Sequence, residues 1–254
     1  MVLRNNTVAI IIQARMGSSR LPGKVLKDLC GKPMLVRIID RLKQCRSVDD
    51  IIVATSQSSQ NNKIIDCAKK SGVKGFVATC HENDVLERYI QAAKKHHVDV
   101  IVRITADCPL IDPALIDNMV KEFSKKNVDY LSNSLKSTFP RGLNVELFTT
   151  EALIRSSYFC LDIKDKEHVV IGLRSYPDLF KTENIEAEGK LHRPDLRLTV
   201  DSKEDFDVVK SIYHYFYDKI DSMTSTDVID FLDSNPSIKK INSHIIQENK
   251  GGWD

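Results

Sequence analysis

Short apolar runs alternate with longer amphipathic stretches through the first half of this chain, and that alternation limits the fold more than any other feature. Runs at 8–12, 51–54, 75–78 and 98–104 have the length of strands, and the segments between them, 33–45, 61–71 and 84–97, have the spacing of helices. Within residues 34–42 the apolar side chains fall on one helical face, and Pro33 suits a first helical position. A further helix is expected over 113–125, where Asp112 is a good N-cap and Pro113 follows it. Strands joined through helices pair in parallel, so the fold class is α/β, Rossmann-like, with a mostly parallel sheet flanked by helices. Right-handed crossovers then place the loops that leave the strands along one edge, where ligands bind.

The rhythm changes near residue 127. Extended pieces at 130–131, 145–148 and 180–187 and helices at 150–157 and 166–175 suggest a small inserted arm at about 132–190. A returning strand is expected at 196–200, then a helix over 202–217, with Ser202 as cap and Asp205 three residues on. A last helix, 227–232, stops before Pro236. The chain thus divides into a single domain, 1–235, and a tail, 236–254. Asp205 and Asp207 form an acid-x-acid pair, but inside a helix the two diverge, so a solvated face is expected.

The 254 residues are 42% hydrophobic, enough for a sizeable core, and the net charge of +2 lacks the basic bias of a nucleic-acid protein. The six cysteines include no CxxC pair and no zinc-ligand spacing with histidine, so reduced, mostly buried thiols are expected. The apolar run at 8–12 is too short for a signal sequence, and no segment has the length of a membrane span; a soluble, cytoplasmic protein is expected.

The first strand empties into Gln13-Ala-Arg-Met-Gly-Ser-Ser-Arg-Leu-Pro-Gly-Lys24. Arg15, Arg20 and Lys24 supply positive charge, and Gly17 and Gly23 let the backbone approach a ligand closely with free amides toward phosphate oxygens. The spacing is neither Walker A nor GxGxxG, and Val25 stands where a magnesium-binding hydroxyl would be. A plain basic surface loop is the competing reading. Asp107 ends the run Arg103-Ile-Thr-Ala-Asp107 at the same sheet edge, and Asp201 lies just beyond the strand expected at 196–200. A carboxylate facing polyphosphate makes sense chiefly through a hard cation, so Asp107 and Asp201 are candidate ligands of an octahedral Mg²⁺ completed by phosphate and water. Alternatively Asp107 caps the turn before Pro109 and Asp201 supports a helix N-terminus.

Taken in order, residues 11–26, 52–56, 82–88, 103–112, 142–146, 167–169 and 198–205 resemble the cytidylyltransferases that make CMP-activated acidic sugars, above all the SpsF branch, related to CMP-Kdo synthetase. The resemblance implies a nucleotide-diphospho-sugar transferase-like fold and transfer of CMP from CTP to an acidic sugar or related acid, with Mg²⁺ and release of pyrophosphate. It implies catalytic roles for Arg15, Lys24, Asp107 and Asp201, and CTP contacts from Ala14, Arg15, Gly17, Ser18, Arg20, Lys24, Thr55, Ser56, Asp84 and Arg88. Arg141, Asn144, Glu146 and His168, on segments in or beside the arm, are its acceptor candidates. Many relatives carry acids near 141 and 144, so Arg141 and Asn144 favour a more anionic acceptor. His168 also reads as an ordinary half-buried histidine. A homodimer formed through the arm is expected, with 145–148 as an apolar contact. The competing functions are a nucleotide-sugar-dependent glycosyltransferase, or nucleotidyl transfer with another base, and a non-catalytic nucleotide-binding protein of polysaccharide assembly.

Overall fold

In the computed structural model, which describes residues 6–245, β1 (Val8–Gln13) lies inside a sheet and sends alternate side chains into two separate cores. Val8, Ile10 and Ile12 join one apolar cluster, and Ala9 and Ile11 the other, as the two-residue period of a strand requires. Around it run β4 (Asp50–Ser56), β5 (Lys74–Ala78), β6 (Val100–Thr105), β7 (Tyr130–Ser132), β8 (Glu146–Thr149) and β9 (Thr182–Asn184); β2 (Asp28–Leu29) and β3 (Lys32–Pro33) form a separate small hairpin. The seven-stranded order is β5-β4-β1-β6-β8-β7-β9. All neighbours are parallel except those of β8, which runs against both β6 and β7.

One face is covered by α1 (Met34–Leu42), α2 (Asn62–Lys70) and α4 (Pro113–Lys125). The other is covered by α3 (Val85–His96), α5 (Thr150–Ser157), α6 (Ile163–Glu167) and α7 (Ile171–Ser175). A third apolar cluster joins α8 (Lys203–Tyr215) and α9 (Ser225–Ser234) to Leu110, Leu143, Leu196 and Leu198. It anchors the segments that leave β6 and approach α8, and the Tyr213 hydroxyl donates to the Pro109 carbonyl at 2.5 Å. Asp112 caps α4 and Ser202 caps α8 in a capping box with Asp205.

Several expectations are revised. Residues 145–148 are not an exposed contact: Leu147 and Phe148 are fully buried, because β8 is inserted in the middle of the sheet. The strand expected at 196–200 is an extended strap with a single bridge, Arg141 to Arg197, because its other hydrogen bonds go to different partners, such as Val200 N–H to the Asp107 carbonyl. The helix expected at 166–175 is broken into α6 and α7. Asp205 is not on a solvated face: it is fully buried and salt-bridged to Arg197 at 2.8 Å. The six cysteines are free, but only Cys108 and Cys160 are buried. Beyond Pro236 the chain forms α10 (Pro236–Lys240), and buried Asn242 donates to Arg197 O and Asp205 Oδ1, so the first part of the expected tail belongs to the fold. Residues 246–254 lie outside the described residues. No helix among the described residues is long and apolar enough to cross a membrane.

Candidate active site at the carboxyl ends of the parallel strands

The loop after β1 closes on itself before it reaches Lys24. Ser18 and Gly23 N–H both donate to the Met16 carbonyl, Lys24 N–H donates to Leu21 O, and Gly23 takes a φ of 66°, a left-handed conformation that glycine adopts without cost. The Met16 N–H is held by Asn61 Oδ1, whose amide nitrogen in turn donates to Ser56. Those amides are therefore spent within the protein. Among the described residues nothing takes the N–H groups of Gly17, Ser19 or Arg20, which lie on the exposed part of the loop and are free for an anion.

Gly23 starts a short 3₁₀ turn, Lys24–Leu26, that turns the Lys24 side chain back under the loop. Its ammonium donates to Asp107 Oδ2 at 3.2 Å, Asp201 Oδ1 at 3.0 Å and the Val200 carbonyl at 2.7 Å. Two acids far apart in sequence thus converge on one cation. Burial disfavours the ammonium, but Asp107 and Asp201 outweigh it and hold the Lys24 pKa above its ordinary value. Burial likewise opposes ionised Asp201, and Lys24, Arg20 and Arg197 outweigh it, so its pKa lies below the usual carboxylate value. Arg20 reaches Asp201 Oδ2 at 3.2 Å, and Thr105 Oγ1 donates to Asp107 Oδ1 at 2.5 Å. Among the described residues no group of three or more His, Cys, Asp or Glu could cage a metal by itself. The donor chemistry nevertheless fits Mg²⁺: two hard carboxylates already share one cation, and Mg²⁺ commonly takes one or two carboxylates and the rest from phosphate and water.

Arg15 points away from this pair. Its guanidinium bonds to Asn83 Oδ1 at 2.9 Å and Glu167 Oε1 at 3.3 Å, tying the loop to α6. Asp84 caps α3 through the Glu87 N–H and pairs with Lys166 at 3.3 Å. Arg88 is 1% exposed; its carbonyl partner is Glu82, its Nε is unpartnered, and burial lowers its pKa. Thr55 and Ser56 are buried; the Ser56 hydroxyl is taken by Asn61, and the Thr55 hydroxyl has no partner among the described residues. Ala14 is buried too, its N–H on the Ala54 carbonyl.

Of the acceptor candidates, Arg141 and Asn144 flank Gly142 and Leu143. Gly142 has a φ of 105°, and a Cβ there would lie 2.6 Å from Leu198 C and Thr199 N. Backbone thus presses on backbone, with Arg141 N–H on Leu196 O and Leu198 N–H on Arg141 O, and this fixes Arg141 beside the acids. The buried Arg141 Nε has no partner; burial, then Arg197, lower its pKa, while Asp201 and Asp107 offset this in part. Asn144 is exposed. Glu146 does not stand open: it is buried, paired with Arg103 and accepting from the Tyr130 hydroxyl. His168 is half-buried where α6 stops. There Val170 N–H donates to His168 O at 2.6 Å across Val169, whose φ of 63° is a strained conformation for a β-branched residue.

Sequence reading missed Asn61, Asn83 and Arg197, which hold the loop, Arg15 and Asp201. Nothing in their local spacing marks them, because each acts across a long sequence separation or through a buried pair.

A family model described as cytidylyltransferase matches residues 9–225, which contain every candidate site residue named above. The chain belongs to the cytidylyltransferase family. Its members are nucleotidyltransferases. The chain is 39% identical over 238 residues to an uncharacterized protein of Methanocaldococcus jannaschii, covering 94% of this chain and 95% of that one. It is 31% identical to the spore coat polysaccharide biosynthesis protein SpsF of Bacillus subtilis, over 91% of this chain and 96% of that one. Among solved structures, a cytidylyltransferase from Leptospira borgpetersenii superposes with a TM-score of 0.88 at 34% identity, covering 96% of this chain and 100% of that one. The mostly parallel sheet flanked by helices is the nucleotide-diphospho-sugar transferase fold of this family.

Proposed function

We propose that this cytidylyltransferase transfers CMP from CTP to an acidic sugar or related acid, with release of pyrophosphate, in the making of a surface polysaccharide or glycoconjugate. The observation that carries the reading is the Lys24 ammonium bridging Asp107 and Asp201 beside a basic loop with free amides. In the reaction an acceptor hydroxyl oxygen attacks the α-phosphorus and forms the new P–O bond. The bond from the α-phosphorus to the β-phosphate oxygen breaks, pyrophosphate departs with the electron pair, and the hydroxyl proton leaves to solvent. Negative charge grows on the departing pyrophosphate, and fixed cations placed there stabilise it. Lys24 and Arg20 are those cations, with the N–H groups of Gly17, Ser19 and Arg20 on the phosphate oxygens. Arg15, once turned from Glu167, adds a third positive side chain. Asp107 and Asp201 would hold a Mg²⁺ ion, which supplies Lewis-acid stabilisation of the phosphate oxygens.

The acidity of the acceptor is supported by Arg141, a half-buried guanidinium whose Nε is buried without a partner and which makes no ion pair among the described residues, a state that an anionic ligand would relieve. The same reading expects a homodimer. Tyr158, Leu161, Ile163 and Leu179 of the arm are exposed apolar side chains, and a second copy would cover them; analytical ultracentrifugation of the wild type and of Leu161→Asp checks this.

Pyrophosphate release from CTP, ATP, GTP and UTP, each with 3-deoxy-manno-octulosonate, N-acetylneuraminate and other sugar acids, tests the function. Release from CTP with at least one acid is expected. Preference for another nucleotide, or no release with any acid, would overturn the reading.

A further inference from the structure

Among the described residues, the buried cluster under the sheet edge ends in one free donor, and its orientation follows from chemistry alone. Gln13 is the last residue of β1. Its Oε1 lies 3.1 Å from Arg103 Nη2, 3.3 Å from Arg103 Nε and 3.3 Å from the Tyr89 hydroxyl. A guanidinium has donors only, so the carboxamide must turn its oxygen to Arg103 and its NH₂ away. Arg103 cannot swing aside, because Glu146 pairs with its other nitrogen and Tyr130 donates to Glu146. Tyr89 is fully buried against the same guanidinium. The Gln13 NH₂ makes no hydrogen bond among the described residues, and it is not among the buried unpartnered atoms, so it faces accessible space.

That space adjoins the acids. Gln13 pairs with Thr105 in the β1–β6 register, the Gln13 carbonyl accepts from Ala106 N–H, and Thr105 holds Asp107. The side chain leans toward β6 and β8, away from β4, whose Ala54 carbonyl accepts from Ala14 N–H and whose Ser56 accepts from Asn61, the residue that holds Met16 of the loop. We infer that the Gln13 carboxamide NH₂ donates to an oxygen of the acceptor, and that Arg103, Glu146 and Tyr130 are positioning residues that lock it. This rests on the proposed acid acceptor. It also gives Glu146 a role without substrate contact: the carboxylate holds Arg103, and Arg103 orients Gln13.

Gln13→Glu tests the inference, because a carboxylate keeps the bonds to Arg103 but replaces the NH₂ donor with an acceptor. Gln13→Met removes donor and lock together. KM for CTP and for each acid that the wild type uses, from the panel above, would be measured by pyrophosphate release, with thermal melting as a control. The expected result for Gln13→Glu is an acceptor KM raised at least about tenfold, roughly the loss of one hydrogen bond plus repulsion of an anion, with CTP KM within about twofold and an unchanged melting temperature. Gln13→Met should raise acceptor KM in the same sense. An acceptor KM unchanged in both variants, or a rise confined to CTP KM, overturns the Gln13 assignment while leaving the proposed function standing. If the wild type releases pyrophosphate with none of the acids, the proposed function fails and the assignment falls with it.

Discussion

Replacing Lys24 by Met would remove the cation that Asp107 and Asp201 share. The side chain is 12% exposed and makes three hydrogen bonds, so the loss is not that of a surface lysine. Breaking a fully buried ion pair typically costs about 3–5 kcal/mol. Here the cost is smaller, because Asp107 is 27% exposed and Asp201 retains Arg20 and Arg197. About 2 kcal/mol remains, or a melting temperature lowered by about 4–8 °C for a domain of this size. The two carboxylates are then left facing each other, open to another cation. Magnesium at ten times its dissociation constant would return about 1.4 kcal/mol to the variant by mass action. The wild type, whose ammonium competes for the same oxygens, should gain less. Differential scanning calorimetry of both proteins with and without about 10 mM MgCl₂ reads these shifts, and pyrophosphate release should be nearly abolished in the variant. A variant as stable as the wild type would show that the acid pair does not depend on Lys24. Equal magnesium gains in both proteins would show that the ion binds elsewhere.

Gly142→Ala should lose at least about 3 kcal/mol, from strain at φ 105° plus a Cβ set 2.6 Å from backbone, and denaturant unfolding checks it. Arg141→Met should raise acceptor KM about tenfold or more and leave CTP KM unchanged, yet melt no lower than the wild type, since the half-buried guanidinium that is removed makes no ion pair among the described residues and leaves its Nε unpartnered. The Asp201 pKa lies below 3.8 in the folded protein, so its ionised form contributes stability that is present above about pH 3.8 and lost as pH falls through the lowered value. Asp201→Asn should therefore be less stable than the wild type in urea at pH 7, with the difference shrinking below pH 4.

The parallel half of the fold is legible because each element there carries its own signal. The apolar run from Val8 to Ile12 must be buried on both faces, and the loop that carries Gly23 and Lys24 leaves it directly. The convergence of Asp107 and Asp201 could be read because both sit just past segments that run to the same edge. The arm was harder. Residues 145–148 look extended in sequence, but no local pattern says that β8 enters between β6 and β7 against their direction. The strap at 196–200 has the composition of a strand, yet its hydrogen bonds go to Asp107 and Arg141 rather than along one partner. Glu146 reads as a ligand because its segment resembles the family's, and only packing shows Arg103 and Tyr130 already upon it. The break between α6 and α7 depends on a strained Val169, which propensity would never choose.

The contact of Gly142 with Leu198 and Thr199 also bears on how an enzyme of this kind could be redirected. One position admits no side chain at all, whereas Arg141 before it is only half-covered and Asn144 beyond it meets solvent. A rigid pin of this sort lets its neighbours be exchanged without moving the acids across the cleft. A library that randomises 141 and 144 while keeping glycine between them would therefore explore new clients at little risk to the chemistry.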